Sequence, residues 1–158
     1  MTASTLTFIH VLLSLAGIGS GFVVLYGFVA ADRLPRWTAI FLATTILTSA
    51  TGFLFRSASF GAPQIIGLVS LLVLVFAVLA LYVYGLRGPW RPVYVVGAML
   101  ALWLNVFVGV IQAFQKLPFL QPLAPTQTEP AFFGTELVVL VGFIVLGIVG
   151  VRSFHPTL

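Results

Sequence analysis

The sequence predicts an all-α fold: a polytopic transmembrane helix bundle of about five spans, with the N-terminus outside and the C-terminus cytoplasmic. Three observations predict it. Of 158 residues, 61% are hydrophobic and only 6% charged, where a soluble domain is roughly a quarter charged. The mean hydropathy is +1.20, so the chain could not cover itself with polar surface in water, and lipid is its solvent. The apolar residues fall into runs of about 19–25, the length that crosses a hydrocarbon core. The runs do not alternate as barrel strands do, and a helix satisfies its own backbone hydrogen bonds in oil.

Each span has a physical start and stop. Span 1 covers about 6–30 and ends at Ala31-Asp32-Arg33-Leu34-Pro35-Arg36. Span 2 covers about 37–55 and stops at Arg56; a loop of small residues follows, and Pro63 is placed to open the next helix. Span 3 covers about 64–86 and ends at the turn Arg87-Gly88-Pro89-Trp90-Arg91-Pro92. Span 4 covers about 93–115. The 116–130 segment carries Pro118, Pro122, Pro125 and Pro130 and cannot be one helix, because each proline lacks an N–H and clashes with the preceding turn. It is expected to form an extracytoplasmic lid, with Thr128 capping the final helix. Span 5 covers about 131–151. These spans fill residues 1–158 as a single transmembrane domain. The first span is too long for the apolar core of a cleavable signal and has no Lys or Arg before it, so it is expected to remain.

Charge gives the orientation. Arg33, Arg36, Arg87, Arg91 and Arg152 share one side, and only Arg56 and Lys116 lie on the other. Basic residues favour the cytoplasmic side. The aromatic residues Tyr26, Trp37, Tyr82, Tyr84, Trp90 and Tyr94 cluster near the same face, as a membrane-interface belt would. The expected location is the cytoplasmic (inner) membrane of a bacterial cell, with multiple passes. The net charge of +4 comes from basic residues scattered at span ends, which excludes nucleic acid as a partner. With no cysteine, thiolate, disulfide and iron–sulfur chemistry are excluded.

Polar groups inside spans are the informative ones, since each costs free energy unless it finds a partner. His10 lies near the outer end of span 1, with Ser14, Gly17 and Gly21 on its face; Gly17 and Gly21 read as a seam for close helix approach. Thr44, Thr48 and Thr51 form a stripe on span 2, whose hydroxyls can bond back to the helix's own carbonyls. Asn105, Gln112 and Lys116 fall near one line of span 4. Glu136 is the only acidic residue well inside a span, on a face shared with Leu140, Phe143, Gly147 and Gly150.

His10, Thr48, Thr51, Asn105, Gln112 and Glu136 all fall in the outer half under this topology, and they form the candidate ligand-binding set. One membrane histidine and one glutamate fall short of a metal site, and no catalytic triad or phosphate loop is present. The sequence names no cofactor; a quinone, or a haem held by His10 alone or shared between subunits, is compatible with it, and Trp103 with the phenylalanines suits ordinary packing better than a flat apolar ligand. Three functional readings remain open: a small binding or accessory protein holding a lipid, quinone or partner helix in an outer polar cavity; a proton-coupled transporter or channel using Glu136 and His10; and an enzyme on a lipid-soluble substrate. Membrane lipid is the expected partner, with a homo-oligomer or a larger membrane complex as compatible assemblies.

Overall fold

The structure, a computed structural model, describes residues 3–55 and 61–156; Arg56 and most of the loop after it lie outside the described residues. The chain folds as five helices in an up-and-down bundle, and no strand occurs among the described residues. They are α1 (Ala3–Ala30), α2 (Pro35–Gly52), α3 (Ala62–Val78, prolonged by a π-turn over Leu79–Val83), α4 (Trp90–Lys116) and α5 (Pro130–Ser153). α1, α3, α4 and α5 are each long and apolar enough to cross a membrane. α2, with 18 residues, is about 27 Å long and carries five of the chain's threonines, Thr38, Thr44, Thr45, Thr48 and Thr51. It is not among those four.

The boundaries follow local chemistry. Asp32 N–H donates to Gly27 O at 2.9 Å and closes the end of α1. An added Cβ at Gly27 would sit 2.7 Å from the Asp32 carbonyl oxygen, so the turn folds back only over a glycine. Pro35 and Pro63 occupy the first turns of α2 and α3, where a missing N–H costs nothing. The π-turn at the end of α3 is closed by Tyr84 N–H on Leu79 O at 2.9 Å. Its wider register lies beside a flat stack of Tyr84 on Trp90, with centroids 3.8 Å apart. The 116–130 segment breaks into turns and a single 3-10 turn at Gln121–Leu123, as its prolines require. Thr128 does not cap α5. Glu129 is the N-cap residue without a side-chain cap bond, and the Thr128 hydroxyl pairs with that of Thr126 at 2.6 Å.

α4 is the hub, touching each of the other four helices. The core concentrates at the end that carries the arginine turns. Phe28, Tyr94 and Phe154 pack as a triangle of rings 5.1–5.9 Å apart, surrounded by Phe41, Ala77, Val95 and Ala98. Tyr94 is 1% exposed, so it is a core residue and not part of an interfacial belt. Its hydroxyl donates to Thr38 Oγ1 at 3.4 Å. By contrast Tyr26, Trp37, Tyr82 and Tyr84 are exposed, as a belt requires. Arg91 Nη1 donates to Val151 O at 2.8 Å and to Phe154 O at 2.7 Å, which satisfies carbonyls left open at the end of α5.

Gly17 and Gly21 do form the close seam of α1. A Cβ at Gly21 would strike Leu102 Cδ1 and come within 3.0 Å of the Phe41 ring. One at Gly17 would sit 3.0 Å from Asn105 Nδ2 and 3.1 Å from Thr45 Oγ1. Gly19, between them, faces open space.

Candidate functional site

α1 and α5 both start at the end remote from the arginine turns, so His10 and Glu136 each lie about two turns in from that end. The six candidate residues divide into three groups.

His10, Thr51 and Thr48 form a connected unit between α1 and α2. His10 Nδ1 lies 2.9 Å from Thr51 Oγ1, and Thr51 Oγ1 donates to Thr48 O at 3.0 Å. A hydroxyl has one hydrogen. With that hydrogen on the carbonyl, Thr51 accepts from a His10 protonated on Nδ1; with it turned to the ring, Nδ1 accepts from Thr51. Phe55 fixes the ring from the side, edge to face at 5.1 Å. Thr48 is 7% exposed, and its hydroxyl has no hydrogen-bond partner.

Asn105 sits deeper, where α1, α2 and α4 meet. Its Nδ2 donates to Thr45 Oγ1 at a long 3.5 Å, against the bare backbone of Gly17. This is an interhelical amide bond of the kind that ties membrane helices together. Gln112, seven residues further along the same line, is exposed, so the line leaves the packed interface between the two amides.

Glu136 stands apart. It is 9% exposed, and both carboxyl oxygens are buried without a hydrogen-bond partner. One turn earlier on the same face, Phe132 packs edge to face on Phe114 at 5.6 Å, with Ala124 of the lid completing that small cluster. The 116–130 segment is tied down by Gln127, which donates from Nε2 to Ile111 O at 3.1 Å and accepts from Gln115 at 3.3 Å. No ion pair occurs among the described residues, and no hydrogen bond joins His10 to Glu136. No group of three histidine or acidic side chains gathers among them either.

Several polar pairs carry no obvious mark in the sequence. Besides Thr38–Tyr94 and Thr45–Asn105, Ser49 Oγ donates to Ser70 Oγ at 3.1 Å between α2 and α3. With His10–Thr51, these bonds tie α2 to α1, α3 and α4, so its polarity is largely consumed in assembly. Thr44 bonds back to Ile40 O at 2.7 Å. The spacing of Tyr94 and Asn105, eleven residues or about three turns apart, was the available signal that both lie on one packed face of α4.

A cavity of about 380 Å³ lies between α4 and α5, lined by Met99, Trp103, Phe143, Gly147, Val151 and Arg152 among others. None of the six candidate residues lines it. The indole N–H of Trp103 is buried without an acceptor.

Five helices, four of them long and apolar enough to cross a bilayer, with polar groups held between them, define a small membrane-type helical bundle. Comparison of the chain with protein families, with curated proteins and with solved structures finds no match.

Proposed function

We propose that this chain is an integral membrane binding protein, and that an occupant carrying hydrogen-bond donors completes its site at Glu136. In this reading α2 crosses the membrane as a fifth span, the arginine turns face the cytoplasm, and the lid lies outside. The supporting observation is the carboxyl group itself, whose two oxygens are buried and unpartnered. An ionised carboxylate held in a low-dielectric setting costs several kcal/mol unless donors meet it. The described residues supply none, so a hydroxyl, amine or amide from a ligand or a partner helix answers the need. His10 adds a ring Nε2, donor or acceptor by tautomer, in the same half, with Thr51 bonded to Nδ1. Gln112 is exposed for contact, and Asn105 lies deeper, bonded to Thr45 where α1, α2 and α4 meet.

A proton-coupled carrier would use the same carboxyl. Against it, the packed centre on the arginine side is made of Val24, Leu74, Val95, Leu102 and their neighbours, which offer a proton no route. An enzyme would need His10 and Glu136 to share a substrate.

The test is to purify the wild type, Glu136→Gln and Glu136→Leu in mild detergent and identify by mass spectrometry what travels with each. The expected result is a donor-bearing molecule or polypeptide retained by the wild type and lost from Glu136→Leu. Identical contents in all three would remove the proposal. Uptake into vesicles that depends on pH and vanishes in Glu136→Gln would favour the carrier.

A further inference from the structure

The cavity between α4 and α5 lies in the other half of the molecule and has a different chemistry. Its lining runs along α5 from Leu140 to Arg152, which is about 18 Å of helix. That is close to half of a hydrocarbon core about 30 Å thick, the depth of one leaflet. The lining is apolar or glycine except for the indole N–H of Trp103 and for Arg152 at the end of the groove. Gly147 leaves the middle open, for a Cβ added there meets nothing within 4 Å.

Arg152 is exposed and makes no hydrogen bond or ion pair among the described residues. Its neighbour Arg91 is engaged by the carbonyls of Val151 and Phe154. The same end of the bundle also carries Arg33, Arg36 and Arg87, with Asp32 as its only carboxylate side chain. An apolar slot one leaflet deep, ending at an unpaired guanidinium in a basic layer, matches one acyl chain running inward from an anionic head. A transmembrane helix from a partner would continue past Leu140 through the second leaflet, where the groove does not extend.

We infer that the α4–α5 groove is a binding site for an anionic phospholipid of the leaflet on the arginine side, with one acyl chain along Gly147 and the phosphate on Arg152. The guanidinium can hold phosphate through two parallel N–H donors. The site stands independently of Glu136.

The experiment is native mass spectrometry of the full chain, released from bilayers that contain phosphatidylglycerol and phosphatidylcholine with identical acyl chains. The wild type is expected to retain one phosphatidylglycerol with about fivefold preference, roughly the worth of one basic residue near an anionic surface. Arg152→Gln should bring the preference to near unity while keeping a bound lipid. Gly147→Phe should remove the lipid of either kind. Gly142→Phe adds the same bulk at a glycine that also faces open space but lies outside the groove lining, and it should retain the lipid and its preference. Equal retention of both lipids by the wild type would overturn the inference. So would phosphatidylglycerol held undiminished by a Gly147→Phe protein with wild-type helicity, or a neutral isoprenoid quinone found in the lipid's place. Should Gly147→Phe fail to fold, Arg152→Gln decides alone, and an unchanged preference there contradicts the assignment.

Discussion

The two halves of the bundle differ in what their buried groups have found. On the arginine side, Phe28, Tyr94 and Phe154 interlock with 2% exposure or less, the one buried hydroxyl pair there (Tyr94 with Thr38) is bonded, and Arg91 ties α4 to the end of α5. On the other side, the small cluster of Phe114, Ala124 and Phe132 lies close to a carboxyl with no partner, and Thr48 holds a hydroxyl with none. Buried polar groups in folded proteins are almost always bonded. That half has bonded pairs too, Ser49 with Ser70 and His10 with Thr51, so the exceptions to explain are Glu136 and Thr48. The difference teaches that the tightest packing and the unpartnered Glu136 carboxyl lie at opposite ends of the same five helices.

The largest effect is expected where packing is complete. Phe28→Ala removes a 2% exposed ring that touches both Tyr94 and Phe154, and a buried phenylalanine truncated to alanine costs about 3–5 kcal/mol. Thermal unfolding in detergent should show a large drop in midpoint, and a small drop would mean that the arginine side is not the stabilising half.

Glu136→Leu should act in the opposite direction. An unsatisfied buried polar group costs about 1–3 kcal/mol, so the emptied protein should unfold at a higher temperature than wild type stripped of its occupant. A destabilised Glu136→Leu would reveal a partner for the carboxylate within the fold and erase the contrast between the halves.

Thr51→Val removes the hydroxyl bonded to His10 Nδ1, and a typical net hydrogen bond is worth about 0.5–1.5 kcal/mol. The readout is the titration of His10 by nuclear magnetic resonance together with the unfolding midpoint. An unchanged imidazole spectrum would mean that His10 does not depend on Thr51.

The smallest effect concerns the lid. Desolvation pushes the Glu129 carboxyl up, but hydrogen bonds from Thr126 and Thr128 outweigh it and hold the group below the ordinary carboxylate range. A carboxyl lowered on folding contributes stability in full above its unfolded value, about 4.3, and that stability is lost as pH falls through the folded value. Protection from hydrogen exchange over 121–129, taken relative to intrinsic rates at each pH, should therefore fall on acidification in the wild type. Glu129→Gln should exchange fast already at neutral pH, and a pH-independent lid would contradict the assignment.

Much of the fold was legible because the membrane makes few demands, and each is written in composition. Apolar runs gave the helices, proline broke the 116–130 segment, and Gly17 and Gly21 marked the seam that Phe41 and Leu102 fill. The polar contacts were legible only as types. The Thr44, Thr48, Thr51 stripe was visible, but Thr45, one residue off it, meets Asn105, because partner choice depends on where three helices cross. Tyr94 read as an interfacial residue from its depth alone, yet its rotation about α4 turned it into the core. The groove at Gly147 and Arg152 was invisible, since a gap between two helices leaves no residue type behind.

The most direct measurement is an experimental structure of the full chain in lipid nanodiscs, at a resolution that shows what surrounds the Glu136 side chain. The account predicts density that does not belong to this chain within hydrogen-bond distance of its oxygens. A carboxyl met only by donors of its own chain, or one that reaches bulk water, would contradict it.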